Sequence, residues 1–135
     1  MKILTSQQLI GSFADWPLHM QRSIELAATV FNTTPNPRVG CVIGKDGQIV
    51  GEGWHSAAGQ KHAEIVALER AGELANSSTA FVSLEPCAHT GRTPPCTKAL
   101  ISAGIGQVVS ARVDPDERVS GRGIAALESA NIEVF

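Results

Sequence analysis

The sequence predicts a single α/β domain, built as a three-layer α/β/α sandwich around a mixed five-stranded sheet. Its 135 residues are the length of one ordinary domain, and 43% apolar with 18% charged residues lies near the globular average. Short runs rich in Val and Ile alternate along the chain with longer segments of helix formers. The last two strand candidates are far enough apart for a crossover helix. Together these observations favour a sheet covered by helices.

The first predicted helix covers residues 18–31. Apolar residues recur there at helical spacing, namely Met20, Ile24, Ala27, Ala28 and Phe31. Pro17 precedes them and suits a first helical turn, where a backbone N–H has no intrahelical partner to lose. The segment therefore predicts a helix ahead of the first strand, with these five residues on one face.

Two short apolar runs, residues 38–44 and 48–53, flank Lys45-Asp46-Gly47. Asp-Gly is a strong signal for a tight hairpin turn, so the two runs are predicted to pair antiparallel. Good helix formers dominate residues 62–75, and Asn76-Ser77-Ser78 then ends the segment. A hairpin followed by a helix is the predicted order.

The remaining predicted elements are a strand at 79–84, a helix at 93–104, strands at 107–113 and 132–135, and a helical stretch within 114–130. The helix at 93–104 opens with Thr93 and Pro94-Pro95 and closes at Gly104, which is the usual asymmetry of helix caps. The two last strands are predicted to be parallel, because the chain between them is long enough for a crossover.

Composition argues against several classes of partner. The net charge is −2, there is no Tyr, and aromatic residues make up 4% of the chain, so the basic surface and stacking platforms typical of nucleic-acid binding are missing. No apolar run approaches the length of a membrane span, and the first residues lack a secretory signal. We therefore expect a cytoplasmic protein with a small-molecule partner, and neither nucleic acid nor membrane.

The strongest chemical signal is His62-Ala63-Glu64, followed by Pro86-Cys87 and by Cys96. One imidazole and two thiolates form a ligand set suited to Zn²⁺, and three protein ligands leave a fourth position for water. The third cysteine, Cys41, lies within an apolar strand candidate, where core packing is its predicted role. The sequence thus predicts an open zinc site.

Local helix geometry supports this prediction. Residues two apart on a helix point about 200° apart, so His62 and Glu64 cannot share a side face, but they can share a site over the helix N-terminus. Cys96 lies in a first turn, where exposed N–H groups and the helix dipole favour a thiolate. Glu64 is then placed to accept a proton from zinc-activated water and pass it to a leaving group.

The joint pattern resembles the zinc-dependent base deaminases, which carry His-x-Glu, Pro-Cys and a further Cys. Eight residues separate the two thiols, whereas the general signature has two. With this insert, the sequence resembles the deaminase domain of the bacterial riboflavin-biosynthesis deaminase/reductase, of the cytidine-deaminase-like superfamily. The motifs that carry the resemblance are Pro35-Asn36-Pro37, Gly51-Glu52-Gly53-Trp54-His55, His62-Ala63-Glu64, Leu84-Glu85-Pro86-Cys87, Gly91-Arg92-Thr93-Pro94-Pro95-Cys96, Asp114-Pro115 and Gly121-Arg122-Gly123.

The resemblance implies hydrolytic removal of the 2-amino group of 2,5-diamino-6-(5-phosphoribosylamino)pyrimidin-4(3H)-one, a phosphorylated aminopyrimidine. The implied metal ligands are His62, Cys87 and Cys96, and the implied acid/base residue is Glu64. Charge-assisted donors suit the substrate phosphate, and the candidates are His55, His89 and Arg92.

Asn36 and the two carboxylates Asp114 and Asp116 are the further candidates for binding the substrate. Asn36 suits the edge of a heterocycle, because its amide both donates and accepts. Asp114 and Asp116 are candidates for the ribose hydroxyls. The family commonly has Asn where this chain has Asp116, so Asp114 is the stronger candidate.

Several alternatives remain open. The family's usual polypeptide continues into an NADPH-dependent reductase domain, whereas this chain ends at Phe135, so no pyridine-nucleotide activity is expected. A related zinc deaminase acting on another amino-heterocycle, and a non-catalytic zinc-binding module, are the competing functions. RNA adenosine deamination is a weaker alternative, because the thiols are widely spaced and no basic surface is indicated. By analogy, the resemblance implies a homo-oligomer, either a dimer or a tetramer.

Overall fold

The computed structural model describes residues 1–11, 13–91 and 93–135, and it confirms the predicted α/β class with a mixed five-stranded sheet. The helices are α1 (Ser6–Ile10), α2 (Trp16–Ala28), α3 (Ala63–Ala71), α4 (Cys96–Ser102) and α5 (Arg122–Ser129), with a 3₁₀ turn at Gly72–Ala75. The strands are β1 (Gly40–Lys45), β2 (Gln48–Trp54), β3 (Thr79–Val82), β4 (Gln107–Ser110) and β5 (Glu133–Val134). None of the helices in the described ranges is long and apolar enough to cross a membrane.

The strand order is β2-β1-β3-β4-β5. The predicted hairpin is confirmed: β1 pairs antiparallel with β2, and the turn residues Asp46 and Gly47 both have positive φ, 51° and 77°. β1 also pairs antiparallel with β3. The predicted parallel pairing of the last two strands is confirmed as well, and β3 pairs parallel with β4. The sheet is therefore mixed, and its parallel half carries the crossover helices.

Each face of the sheet has its own core, and we name each core by its composition. The alanine core packs α3, α4 and α5 against one face and consists of Cys41, Ile43, Ala63, Ala67, Ala71, Ala75, Ala80, Val82, Leu100, Ile105, Val108, Ile124, Leu127, Ile132 and Val134. The aromatic core packs α2 against the other face and consists of Trp16, Leu26, Val42 and Phe81. Cys41 is fully buried in the alanine core, as predicted for a strand residue. Helices thus cover both faces of the sheet.

Two glycines bring α3 into direct contact with β2. A Cβ on Gly53 would lie 2.7 Å from the carbonyl oxygen of Ala63 and from Cβ of Val66. A Cβ on Gly51 would clash with the carbonyl oxygen of Ala67. Because neither strand residue has a side chain on this face, the helix lies against the strand backbone. This contact places the N-terminus of α3 beside the end of β2.

The predicted face of the first helix is correct only in part: Ala27 is buried and Met20 packs against the aromatic core, but the other predicted residues are exposed. Phe31 lies beyond the end of α2 and is fully exposed, and Ile24 is 50% exposed. The buried residues of α2 are Trp16, His19, Ser23, Leu26 and Ala27. Because His19 and Ser23 on the buried face are polar, the apolar periodicity of the sequence indicated the adjacent face, which contains Ile24 and Ala28. The α2 backbone closely approaches β1 here, because a Cβ on Gly40 would clash with the Ser23 carbonyl, and this contact buries Ser23.

The short helix α1 was not predicted, although a local signal for it exists. Thr5 and Gln8 form a capping box, in which the Gln8 N–H donates to Thr5 Oγ1 (3.3 Å) and the Thr5 N–H donates to Gln8 Oε1 (2.9 Å). Several predicted elements are also too long. β3 ends at Val82 and β4 at Ser110, because the chain then turns into the loops that border the site.

Candidate metal centre and active site

Three of the predicted side chains converge at one point. The ligand atoms of His62, Cys87 and Cys96 all lie within 4.8 Å of one another. Nδ1 of His62 lies 3.2 Å from Sγ of Cys96 and 3.7 Å from Sγ of Cys87. One imidazole nitrogen and two sulfurs at this spacing fit a tetrahedral Zn²⁺ with one further position. The donor set of the chain is therefore compatible with the metal that the sequence predicts.

Two helix N-termini supply two of these three side chains. His62 is the N-cap of α3, and Cys96 is the first residue of α4, directly after the N-cap Pro95. Cys87 lies in the loop after β3, where its Sγ accepts from the Cys96 N–H (3.3 Å) and its carbonyl accepts from the Thr97 N–H (3.2 Å). The free N–H groups of a helix start favour negative charge, so this arrangement stabilises thiolates.

The two thiols interact strongly. Hydrogen bonds from Cys96 and His62 lower the pKa of Cys87 to about 4. The hydrogen bond with Cys87, burial and the nearby Glu64 raise the pKa of Cys96. The hydrogen bond to Cys87 raises the pKa of His62. The opposite directions of the two pKa shifts reflect the repulsion between two neighbouring thiolates. A divalent cation held by both sulfurs would favour both thiolates.

Glu64 lies in the first turn of α3 and is only 4% exposed. Burial is the main cause that raises the pKa of its carboxyl group, and the charge of Cys87 raises it further. A carboxyl group whose pKa moves towards neutrality is suited both to accept and to return a proton. The sequence prediction that His62 and Glu64 share a site over a helix N-terminus agrees with this placement.

Glu64 and two residues of the metal cluster, His62 and Cys87, face a cavity of about 130 Å³. Its described lining consists of Asn36, Pro37, Val39, His55, His62, Glu64, Leu84, Glu85, Cys87, His89 and Asp114. Asn36, His89 and Asp114 also line an adjoining groove of about 770 Å³. Four of the predicted substrate residues, Asn36, His55, His89 and Asp114, are therefore brought together here, whereas Arg92 lies outside the described residues.

His55 contacts Asn36 rather than open space. It is 3% exposed, its Nδ1 lies 3.1 Å from the Lys61 carbonyl, and its Nε2 lies 3.1 Å from Nδ2 of Asn36. A carbonyl only accepts, so Nδ1–H donates to it, and Nε2 accepts from the Asn36 amide. Oδ1 of Asn36 is then available to the cavity. Both ring nitrogens of His55 are engaged, which leaves none for the phosphate contact that the sequence predicts.

The other substrate candidates border the cavity mouth. His89 is exposed, and Asp114 is half-buried, with its Oδ1 accepting from the Asp116 N–H (2.9 Å). Asp116 instead pairs with Arg118 (2.6 Å), and this guanidinium lowers the pKa of the Asp116 carboxyl to about 2. Asp116 lines only the outer groove. Asp114 therefore shares the inner cavity with Glu64, whereas Asp116 lies in the outer groove.

Sequence reasoning missed one residue of the cavity wall. Glu85 is buried, and its carboxylate accepts hydrogen bonds from backbone N–H groups that lie 29 to 39 residues further along the chain. Partners at this separation leave no periodic signal in the sequence. The one available signal was that a glutamate directly precedes Pro86-Cys87.

Comparison with known proteins agrees with this geometry. The fold and the cluster of one nitrogen and two sulfurs define a zinc-binding domain of the deaminase type. Residues 16–112 match the family model of the cytidine and deoxycytidylate deaminase zinc-binding region. The chain belongs to this zinc-binding deaminase family.

Within the family, the chain fits the deaminase domain of RibD. It is 56% identical over 117 residues to riboflavin biosynthesis protein RibD of Escherichia coli K12, covering 86% of this chain and 32% of that relative. It is 55% identical over 115 residues to the diaminohydroxyphosphoribosylamino-pyrimidine deaminase of Buchnera aphidicola (subsp. Acyrthosiphon pisum), covering 84% of this chain and 78% of the relative. Acinetobacter baumannii RibD (form 2) superimposes with a TM-score of 0.90 at 52% identity, over 93% of this chain and 36% of that one. The chain thus spans about a third of the RibD proteins.

Proposed function

We propose that this chain catalyses the hydrolytic deamination of 2,5-diamino-6-(5-phosphoribosylamino)pyrimidin-4(3H)-one to 5-amino-6-(5-phosphoribosylamino)uracil and ammonia. The observation that carries the proposal is that Glu64 and two of the predicted metal ligands, His62 and Cys87, face one cavity. A relative of similar length, from Buchnera aphidicola, bears the name of this deaminase, which supports the choice of substrate. The reaction replaces the bond between a ring carbon and the nitrogen of the exocyclic amino group by a carbon–oxygen bond, and it consumes one water molecule.

The proposed division of labour follows from the site. His62, Cys87 and Cys96 hold Zn²⁺, which when bound supplies a Lewis acid that lowers the pKa of coordinated water to about 7. Glu64 takes a proton from the attacking water and gives it to a ring nitrogen. It then takes the remaining proton of the added hydroxyl group and gives it to the departing amino group, which leaves as ammonia while the ring carbonyl forms. Because Glu64 is buried beside the ligands, the proton stays away from bulk solvent during this transfer.

Residues at the cavity wall orient the substrate in this proposal. His55 holds the Asn36 amide so that Oδ1 accepts from an N–H group of the pyrimidine ring. Asp114 lies where the cavity opens into the outer groove, which suits a contact with the ribose hydroxyls. His89, at the same opening, is the described candidate for the phosphate, and the role of Arg92 in phosphate binding stays a prediction. Assembly as a homo-oligomer also stays a prediction.

One assay tests the proposed function. Ammonia release from the diaminopyrimidine ribotide is measured beside cytosine, cytidine and guanine, with zinc stoichiometry determined on the same sample. We expect turnover of the ribotide with about one zinc ion per chain. Release from another heterocycle but not from the ribotide would replace the substrate assignment. Full zinc occupancy with no release from any of the four compounds would instead favour a structural zinc module.

A further inference from the structure

The carboxylate of Glu85 is buried in the cavity wall and connects several segments of the chain there. Glu85 is 6% exposed and lines the cavity. Its Oε1 accepts from the N–H groups of Asp114 (3.0 Å) and Gly121 (2.9 Å), and its Oε2 accepts from those of Gly123 (2.9 Å) and Ile124 (3.2 Å). Four N–H donors at these distances satisfy both oxygens with good geometry.

Glu85 acts as the N-terminal cap of α5 from a distant part of the chain. The first N–H groups of a helix have no intrahelical partner, and the N-cap of α5, Gly121, has no side chain to accept from them. The carboxylate of Glu85 satisfies two of these groups, where the helix dipole also favours a negative charge. The start of α5 is thereby joined to the loop that contains Cys87.

A second contact holds the same junction from the other side. A Cβ on Gly123 would clash with the carbonyl oxygen of Pro86 and lie 3.2 Å from Cγ of Glu85. The α5 backbone therefore lies directly against Glu85-Pro86, immediately before Cys87. Because the same carboxylate also binds the Asp114 N–H, the metal-ligand loop and the Asp114 loop are fixed relative to one another.

We propose that Glu85 is a positioning residue, which sets the position of Asp114 relative to the metal ligand Cys87 and so determines substrate affinity through Asp114. This inference rests on the proposed function for the identity of the substrate. It assigns Glu85 no contact with reacting atoms. Its effect is transmitted by the hydrogen bond to the Asp114 backbone, which places the Asp114 side chain at the cavity mouth.

The first test is kinetic and uses Glu85→Gln. The variant keeps one carbonyl oxygen, and its amide group faces donors that it cannot accept from. We expect KM for the ribotide to rise about tenfold, with kcat changed by less than about threefold and zinc stoichiometry unchanged. The matched control is Glu128→Gln on the exposed side of α5, where the carboxylate pairs with the N-terminal amine and no change is expected.

A double-mutant cycle separates positioning from general stabilisation. In an Asp114→Ala background, Glu85→Gln should change KM by less than about twofold, because the residue through which Glu85 acts is gone. Equal KM effects of Glu85→Gln in both backgrounds would overturn the proposal. So would an unchanged KM in the single variant together with a lowered Tm, which is the result of a purely structural role.

A measurement that needs no activity distinguishes this inference from the proposed function. Amide hydrogen exchange is followed by NMR at Asp114, Gly121, Gly123 and Ile124 in the zinc-loaded protein. We expect protection at all four in the wild type, and at least about tenfold faster exchange at one pair in Glu85→Gln. Undiminished protection overturns the inference even if the ribotide is turned over. If the wild type releases no ammonia from the ribotide, the proposed function fails, while the exchange data still decide the role of Glu85.

Glu85→Asp replaces Glu85→Gln in both tests if the latter does not fold. It keeps the charge but is shorter by one methylene group, so it reaches only one of the two pairs of N–H groups. The expected rise in KM and loss of amide protection are the same, and so are the results that would overturn the proposal.

Discussion

The two faces of the sheet are built from different residues and do different things. The alanine core lets α3 approach the backbone of β2 at Gly51 and Gly53, so helix ends come close to the strand ends and to each other. The aromatic core fills the space beneath α2 with large rings, and Trp16 contacts Phe81 edge-on at a centroid distance of 5.6 Å. The small residues of the alanine core thus allow the close helix–strand packing next to the site, whereas the large rings of the aromatic core stabilise the opposite face of the sheet.

Buried polar side chains also differ between the alanine side and the aromatic side of the sheet. On the alanine side, His55 and Glu85 are buried with all their polar atoms engaged. On the aromatic side, Nε2 of His19 is buried without a hydrogen-bond partner among the described residues, 3.4 Å from a carboxylate oxygen of Asp15. A groove of about 790 Å³ on this side has a mainly apolar described lining, which includes Met20, Ile24 and Phe135. Larger volume alone therefore does not mark the reactive face.

The largest expected effect tests the chemistry of the alanine side. Glu64→Gln should lower kcat by about 10²- to 10⁴-fold, because the amide cannot carry the proton. Zinc content and Tm should stay near those of the wild type. Glu69→Gln on the exposed face of the same helix is the control, since its carboxylate forms an ion pair with Lys61 at the surface. Activity of Glu64→Gln within about tenfold of the wild type would remove Glu64 from the acid/base role.

Substitution of the ligand Cys87 should have a different effect from substitution of Cys41 in the alanine core. Cys87→Ala should reduce bound zinc from about one ion per chain to a small fraction and abolish turnover. Cys41→Ala removes a thiol of the strand core and should keep zinc while lowering Tm. Metal analysis and a thermal melt of both variants check this. Equal zinc content in the two variants would contradict the ligand assignment.

On the aromatic side the expected effect is on stability alone. Trp16→Ala removes a ring that contacts Phe81, Phe13 and Phe135, and it should lower the free energy of unfolding by about 3–5 kcal/mol. kcat of the folded protein should change by less than about twofold, because the site lies across the sheet. Urea unfolding and kinetics below the unfolding transition measure both quantities. A large kcat loss in folded Trp16→Ala would show that the two faces are coupled.

The smallest effect concerns an ion pair that joins α2 to β2. Arg22 donates to Glu52 at 2.8 and 2.9 Å and lowers the pKa of that carboxyl group. Both side chains are partly exposed, 42% and 30%, so Arg22→Gln should cost only about 0.2–1 kcal/mol at neutral pH.

The sign of its pH dependence follows from the direction of that pKa shift. A lowered pKa in the folded state gives stability above the unfolded pKa of about 4.3, and this stability is lost as pH falls through the folded value. The difference between wild type and Arg22→Gln should therefore shrink below about pH 4. Paired urea titrations at neutral and acidic pH measure it, and a difference that grows towards acid would contradict the role of the pair.

The sequence was sufficient for the order of the elements from α2 onward and for the three residues of the metal cluster. Asp46-Gly47 predicted the hairpin turn from local backbone preference, and His62-Ala63-Glu64 with Cys87 and Cys96 predicted the metal set from donor chemistry. Both signals are carried by residue type at short spacing. Such features can be predicted without knowledge of tertiary contacts, because turn conformation and metal-ligand chemistry depend on the type of the residues that form them.

The tertiary structure decided which face of α2 is buried and which groups hold the cavity wall. The apolar spacing in α2 predicted that Ile24 is buried, whereas the structure buries the face with His19 and Ser23, where the α2 backbone lies against Gly40. Likewise, Glu85 became a cap for α5, and His55 became a partner of Asn36, through contacts between segments 19 to 39 residues apart. Packing and long-range hydrogen bonds depend on where the backbone passes, and no local pattern encodes that.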